Sequence, residues 1–190
     1  MNLPPVILAS ASPRRAELLR EIVGKFGIVA SDAPEVEHEF LTPQEICQLN
    51  AYRKAHVVAN RHPDALVLGA DTLVFLGTEL FAKPATFAEA EGMLARLAGR
   101  THEVITGVCL VHQRAHRQRL FAECTAVTFR VLSSSAIRDY LGLIYPFDKA
   151  GGYAIQQHGS LIVESVRGSY SNVVGLPLER LRSELQRWPQ

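Results

Sequence analysis

Short apolar, β-type runs alternate with helical patterns along this chain, and that alternation limits the fold more than any other property. The β-type runs fall at 6–9, 27–30, 65–70, 80–82, 104–111, 122–131 and 161–166, and helical periodicity fills much of what lies between them. Ser12-Pro13 opens one helix, with the hydroxyl as N-cap and proline in the first turn. A second runs from Pro43 to about Asn60, and a third opens on Thr86-Phe-Ala-Glu89, a capping-box pattern, and stops near Gly99. Shorter patterns cover 134–141 and 178–187. Between Val104 and Val131 the reading changes to two long strands joined by a polar turn at 112–118. Interleaved strands and helices predict an α/β fold, and the hairpin predicts a mixed sheet flanked by helices. No repeat or Gly/Ser-rich linker divides residues 1–190, so the expectation is one domain.

Composition narrows the function. A chain of 190 residues with 47% hydrophobic residues can bury well over half of its unfolded surface without disulfides or structural metal. Twenty Lys+Arg against nineteen Asp+Glu exclude the global basic footprint of a nucleic-acid polymer binder. Cys47, Cys109 and Cys124 lack a CxxC spacing and read as reduced core thiols of a cytoplasmic protein. No apolar run approaches the roughly 18 residues of a membrane helix, so no membrane partner is expected. The segment Val6-Ile-Leu-Ala-Ser-Ala11 ends like a cleavage site, but it is short, lacks a basic flank and follows Pro4-Pro5, against a secretory leader.

Four segments carry candidate chemistry. In Leu8-Ala-Ser-Ala-Ser-Pro-Arg-Arg-Ala-Glu-Leu-Leu19 a buried strand feeds a helix whose first turn holds Arg14 and Arg15. Cations there oppose the helix dipole, and a bound anion would reverse that penalty. First-turn N–H groups, the Ser10 and Ser12 hydroxyls and two guanidiniums make a phosphate cradle; the alternative is two solvated arginines. In Ala65-Leu-Val-Leu-Gly-Ala-Asp-Thr-Leu-Val74, Asp71 reads as a carboxylate at the end of a buried strand, suited to holding a metal or taking a proton, or else to capping a turn. Lys54 shares a helix face with Cys47, Ala51 and Val58, so it either snorkels or pairs, and Lys83 ends a short strand before Pro84. In Asp148-Lys-Ala-Gly-Gly-Tyr-Ala-Ile-Gln156 the paired glycines permit a tight turn or close ligand approach.

Familiar alternatives are missing: there is no GxxxxGK[ST], GxGxxG or GxSxG. His112 and His116 form HxxxH, but Arg114, Arg117 and Arg119 surround them and disfavour zinc.

These segments resemble the Maf family of nucleotide pyrophosphatases. Lys54-Ala55, Gly69-Ala-Asp-Thr72, Lys83-Pro84, Thr101-His-Glu-Val-Ile-Thr-Gly107 and Gly168-Ser-Tyr-Ser-Asn-Val-Val-Gly-Leu-Pro177 join the first and last segments above, in order along nearly the whole chain. The resemblance implies a two-lobed α/β fold of the Maf/ITPase-like kind with a central nucleotide-binding cleft. It implies hydrolysis between the α- and β-phosphates, with Mg²⁺ or Mn²⁺ as cofactor. The pattern at 148–156 resembles the branch acting on dTTP and UTP, rather than the branch that prefers 7-methyl-GTP. By the same resemblance Asp71 is the proton acceptor, Arg14, Thr72 and Gln156 set specificity, and Arg15, Lys54 and Lys83 bind phosphate. Glu35 matches the family's acidic residue after the second strand and joins Asp71 as a metal candidate, although Glu37 and Glu39 compete for that register. Arg53 departs from the acidic or amide residue that often precedes the family's Lys-Ala.

Residues and resemblance agree on mechanism: phosphoanhydride hydrolysis needs positive charge on the phosphates and a positioned water, and Asp71 either takes the proton or holds the metal. The expected partner is a nucleoside triphosphate, with room for a homodimer. The competing class is a non-catalytic nucleotide sensor or a regulator of septum formation, which would bind nucleotide without releasing pyrophosphate.

Overall fold

A computed structural model describes residues 3–36 and 40–188. The strands are β1 (Val6–Leu8), β2 (Gly27–Ile28), β3 (Leu66–Leu76), β4 (Glu79–Phe81), β5 (Thr101–His112), β6 (Arg117–Phe129) and β7 (Val163–Arg167). The helices are α1 (Pro13–Arg20), α2 (Pro43–Arg61), α3 (Phe87–Leu97), α4 (Ser134–Leu141), α5 (Tyr170–Val174) and α6 (Leu178–Gln186). One sheet holds all seven strands in the order β2-β1-β3-β5-β6-β7, with β4 paired to β3. β1 runs parallel to β2 and to β3, whereas β3–β4 and β6–β7 are antiparallel. The sheet is therefore mixed, as the sequence suggests. β5 and β6 are neighbours joined by residues 113–116 alone, a connection too short for anything but a hairpin.

The chain falls into two compact units. The first comprises Met1–Asp71, Thr106–Glu123 and Gly175–Gln190. Leu8, Leu66, Val67 and Leu68 are wholly buried, which explains why β3 begins as an unbroken apolar run instead of an alternating one. Helix α2 starts at a complete capping box, Thr42 with Glu45, and stops at His62 before Pro63. Its buried face is built from small residues, Cys47, Ala51, Ala55 and Ala59, and two glycines of the sheet receive it. A Cβ on Gly69 would lie 2.7 Å from the Ala55 nitrogen, and one on Gly107 would lie 2.6 Å from the Gln48 nitrogen. The helix backbone rests directly on β3 and β5, and neither position has space for a side chain. Cys47 and Cys109 are buried thiols of this unit.

The second unit comprises Thr72–Ile105 and Cys124–Val174. Its core gathers Phe81, Leu94, Leu97, Val104, Phe129, Ile137, Tyr140 and Ile162. α3 begins at Thr86, whose hydroxyl accepts the Glu89 N–H at 3.1 Å. The Glu89 carboxylate reaches back one residue further than a capping box requires, accepting from the Ala85 N–H at 2.7 Å. Residues 150–152 form a single 3-10 turn in which Gly151 and Gly152 both take φ of +71°, a conformation that glycine reaches without strain. No described helix is long and apolar enough to cross a membrane.

Candidate functional site

The loop leaving β1 enters α1 through Ser10 and Ser12. The Ser10 hydroxyl accepts from the Ser12 backbone N–H at 3.2 Å and from the Arg15 guanidinium at 3.3 Å. Ser12 caps the helix by accepting the Arg15 backbone N–H at 3.4 Å. Both hydroxyl oxygens act as acceptors inside the loop, so what each offers an incoming anion is its own O–H. Arg15 is half-buried, and its Nε donates to the Gly175 carbonyl at 2.9 Å, which pins the guanidinium plane. Burial holds that guanidinium below its ordinary pKa, the Asp71 charge opposes the shift, and neighbouring Arg14 adds to it. Two cations at a helix N-terminus, one of them poorly solvated, favour a bound anion.

The second half of the arrangement joins β3 to α2. Asp71 lies in the middle of β3 and not at its end, because the strand continues to Leu76. Pairing with β1 stops at Leu68, however, so Asp71 stands three residues past the carboxyl end of the parallel part of the sheet. That is where α/β sheets place ligand-binding groups. The residue is 4% exposed. Lys54 Nζ donates to Asp71 Oδ1 at 2.6 Å and to Glu35 Oε1 at 2.6 Å, so a single ammonium links the two carboxylates. Lys54 thus pairs; the snorkelling alternative does not hold. Asn50, 1% exposed, donates from Nδ2 to Asp71 Oδ2 at 3.0 Å. Asn50 and Lys54 are four residues apart on α2 and present both donors on one face.

Sequence reasoning named Lys54, Asp71 and Glu35 but missed Asn50. The available signal was a polar residue one turn before Lys54, on a face otherwise made of Cys47, Ala51 and Ala55. Glu37 and Glu39, the competitors of Glu35, lie outside the described residues.

The remaining candidates belong to the second unit. Thr72 follows Asp71 on β3 and is half-buried; Lys83 is exposed two residues beyond β4; Gln156 is exposed in the turn after Tyr153. Lys149, which the sequence reading left without a role, is 7% exposed and donates to the Tyr145 carbonyl at 2.6 Å and to Asp148. It holds the entry to the glycine turn. His102 and Tyr153 share a buried 2.8 Å hydrogen bond with Phe129 packed edge-on against both rings.

What this geometry can do chemically is hold an anion and act beside it. Guanidiniums and an ammonium supply positive charge, and a carboxylate among them can accept a proton or bind a hard cation.

Solved structures place the fold in a class. The Ham1 protein of Staphylococcus aureus matches over 96% of this chain and 98% of its own, with a TM-score of 0.56 at 13% identity. A HAM1 protein from Coxiella burnetii matches with a TM-score of 0.52 over 98% of this chain and 100% of its own, at 14% identity. The chain is an α/β protein of the Ham1-like fold. More narrowly, the Maf-like protein family profile matches residues 5–188, and the chain belongs to that family. A dTTP/UTP pyrophosphatase of Myxococcus xanthus is 49% identical over 182 residues, spanning 96% of this chain and 91% of the relative. A dTTP/UTP pyrophosphatase of Akkermansia muciniphila is 47% identical over 176 residues, spanning 93% and 92%.

Proposed function

We propose that this protein is a dTTP/UTP pyrophosphatase, a single catalytic domain that hydrolyses a pyrimidine nucleoside triphosphate to the monophosphate and pyrophosphate. The observation that carries the reading is the Glu35–Lys54–Asp71 chain of contacts, a nearly buried carboxylate beside cations, in a member of a family whose relatives bear that activity's name.

Arg14, Arg15, Lys54 and Lys83 bind the triphosphate, assisted by the Ser10 and Ser12 hydroxyls, and offset the charge that develops on the leaving pyrophosphate. A water attacks the α-phosphorus, the bond from that phosphorus to the bridging oxygen breaks, and the water's proton passes to Asp71. Asp71 is suited to accept it because Lys54 and Asn50 hold its two carboxylate oxygens in place.

A divalent cation fits the residues present. Two carboxylates already converge on one ammonium at 2.6 Å, and hard oxygen donors suit Mg²⁺ or Mn²⁺. Among the described residues no cluster of three or more His, Cys, Asp and Glu exists, so phosphate oxygens and water would complete the shell around Asp71 and Glu35. Bound there, the cation would supply charge neutralisation to the phosphates.

Base choice falls to Arg14, Thr72 and Gln156. A glutamine amide has one acceptor and two donors, enough to meet the N3–H and O4 of uracil or thymine together. The test is a panel of dTTP, UTP, CTP, GTP and 7-methyl-GTP with Mg²⁺ or Mn²⁺. Preference for dTTP and UTP with pyrophosphate release supports the reading; binding without turnover would leave a nucleotide sensor, and preference for 7-methyl-GTP the other branch.

A further inference from the structure

Asn50 is buried, polar and in contact with Asp71, and the mechanism above does not use it. Its amide faces three groups. Oδ1 accepts the Val36 backbone N–H at 2.8 Å, and Nδ2 donates to the Val36 carbonyl at 3.1 Å and to Asp71 Oδ2 at 3.0 Å. The Val36 backbone settles which end of the amide is which. An N–H must meet the oxygen and a carbonyl must meet the nitrogen, so the flipped amide would lose both contacts. With that orientation fixed, the second Nδ2 hydrogen is left for Asp71 and only a donor can face Oδ2.

Two rungs of α2 therefore tie the same two segments together. Lys54 joins Glu35 to Asp71, and one turn earlier Asn50 joins Val36 to Asp71. The rungs differ in kind. The lysine is a charge on a flexible stem with three donors that a polyphosphate can recruit. The asparagine has a short side chain at 1% exposure, fastened on both polar atoms to a backbone.

We propose that Asn50 is a positioning residue for the hydrolysis: anchored on the Val36 backbone, it holds the Asp71 carboxylate in its working orientation while Lys54 turns its ammonium to the substrate phosphates. This rests on the reading that Asp71 takes part in the reaction. Asn50 makes no contact with substrate in this scheme and acts through Asp71 alone.

A double-mutant cycle tests it. Asn50→Leu removes all three hydrogen bonds. Asn50→Asp keeps the shape and the acceptor for the Val36 N–H but has no donor for Asp71, so it serves if the leucine variant fails to fold. Each is combined with Asp71→Asn, and kcat and KM for UTP are measured at saturating metal, with long incubations for the slow variants. With Asp71 intact, each Asn50 substitution lowers kcat by about 10–100-fold, the range for losing a residue that orients a reacting group, with KM changed less than about threefold. In the Asp71→Asn background the same substitutions cause no further loss of kcat. A merely structural role would lower kcat equally in both backgrounds, and that result overturns the proposal, as does wild-type kcat in the single Asn50 variants. Full turnover by Asp71→Asn alone would overturn the reading on which the proposal rests, and the proposal with it.

Discussion

Replacing Gly69 by alanine tests how α2 is held and what it holds. The added methyl would sit 2.7 Å from the Ala55 nitrogen and 2.9 Å from the Ala55 Cβ, both on a buried stretch of α2. Comfortable carbon contacts lie near 3.5–4.0 Å, so the helix has to retreat from β3 by about 1 Å. Overpacking of this kind costs about 1–3 kcal/mol. For a chain of this size that is a fall in Tm of about 2–12 °C. The same retreat moves Asn50 and Lys54 away from Asp71, two residues along the strand from the substitution. A misplacement of about 1 Å at a reacting group is worth about 10²-fold in rate, so kcat for UTP falls by that order. Thermal melts and steady-state turnover on the purified variant read both numbers. An unchanged Tm would refute the seating of α2 on β3. A lowered Tm with wild-type kcat would refute the claim that α2 aligns the reacting groups.

Asp71→Asn lowers kcat by at least about 10²-fold, the lower range for losing acid–base catalysis, while a near-normal melt is expected because Glu35 still partners Lys54; wild-type turnover in this variant would exclude any role in the reaction. Gln156→Ala lowers kcat/KM for UTP by about 1–3 kcal/mol and that for CTP or GTP much less, whereas an equal loss for all nucleotides would show that Gln156 supports the fold and does not read the base. Burial holds the His102 pKa down at about 4 against 6.5 unfolded. Above pH 6.5 the residue is neutral in both states, and as pH falls toward 4 the unfolded chain gains a proton that the folded chain refuses. Roughly 3 kcal/mol of stability is lost over that window, and urea melts should show His102→Gln flattening the slope between pH 6.5 and 4; an unaltered slope would refute the assignment.

The readable parts of the sequence were those with local causes. Ser12-Pro13 and Thr86 begin helices because each hydroxyl satisfies a first-turn N–H within four residues of itself, and such signals need no tertiary knowledge. The hairpin between β5 and β6 showed itself in the same way, through a charged turn between two long β-type runs. Asp71 was harder. Its charge looked like the end of a strand, whereas the strand runs on to Leu76, and the true boundary is the point where β1 stops pairing. Asn50 stands out in the sequence only as a polar residue on an apolar helix face, since its importance comes from Val36 and Asp71, 14 and 21 residues away. Gly69 and Gly107 read as ordinary strand glycines until α2 is laid across them. The short helix Tyr170–Val174 went unnoticed inside a Ser/Gly-rich motif, at five residues too brief for periodicity to register.

Cleavage of a pyrimidine triphosphate at the α-phosphorus is the claim on which the rest depends, and phosphorus NMR of UTP incubated with the wild-type protein and Mg²⁺ reads it without an intermediary. Loss of the triphosphate signals with matched growth of UMP and pyrophosphate is the expected result. Growth of UDP and orthophosphate would contradict it.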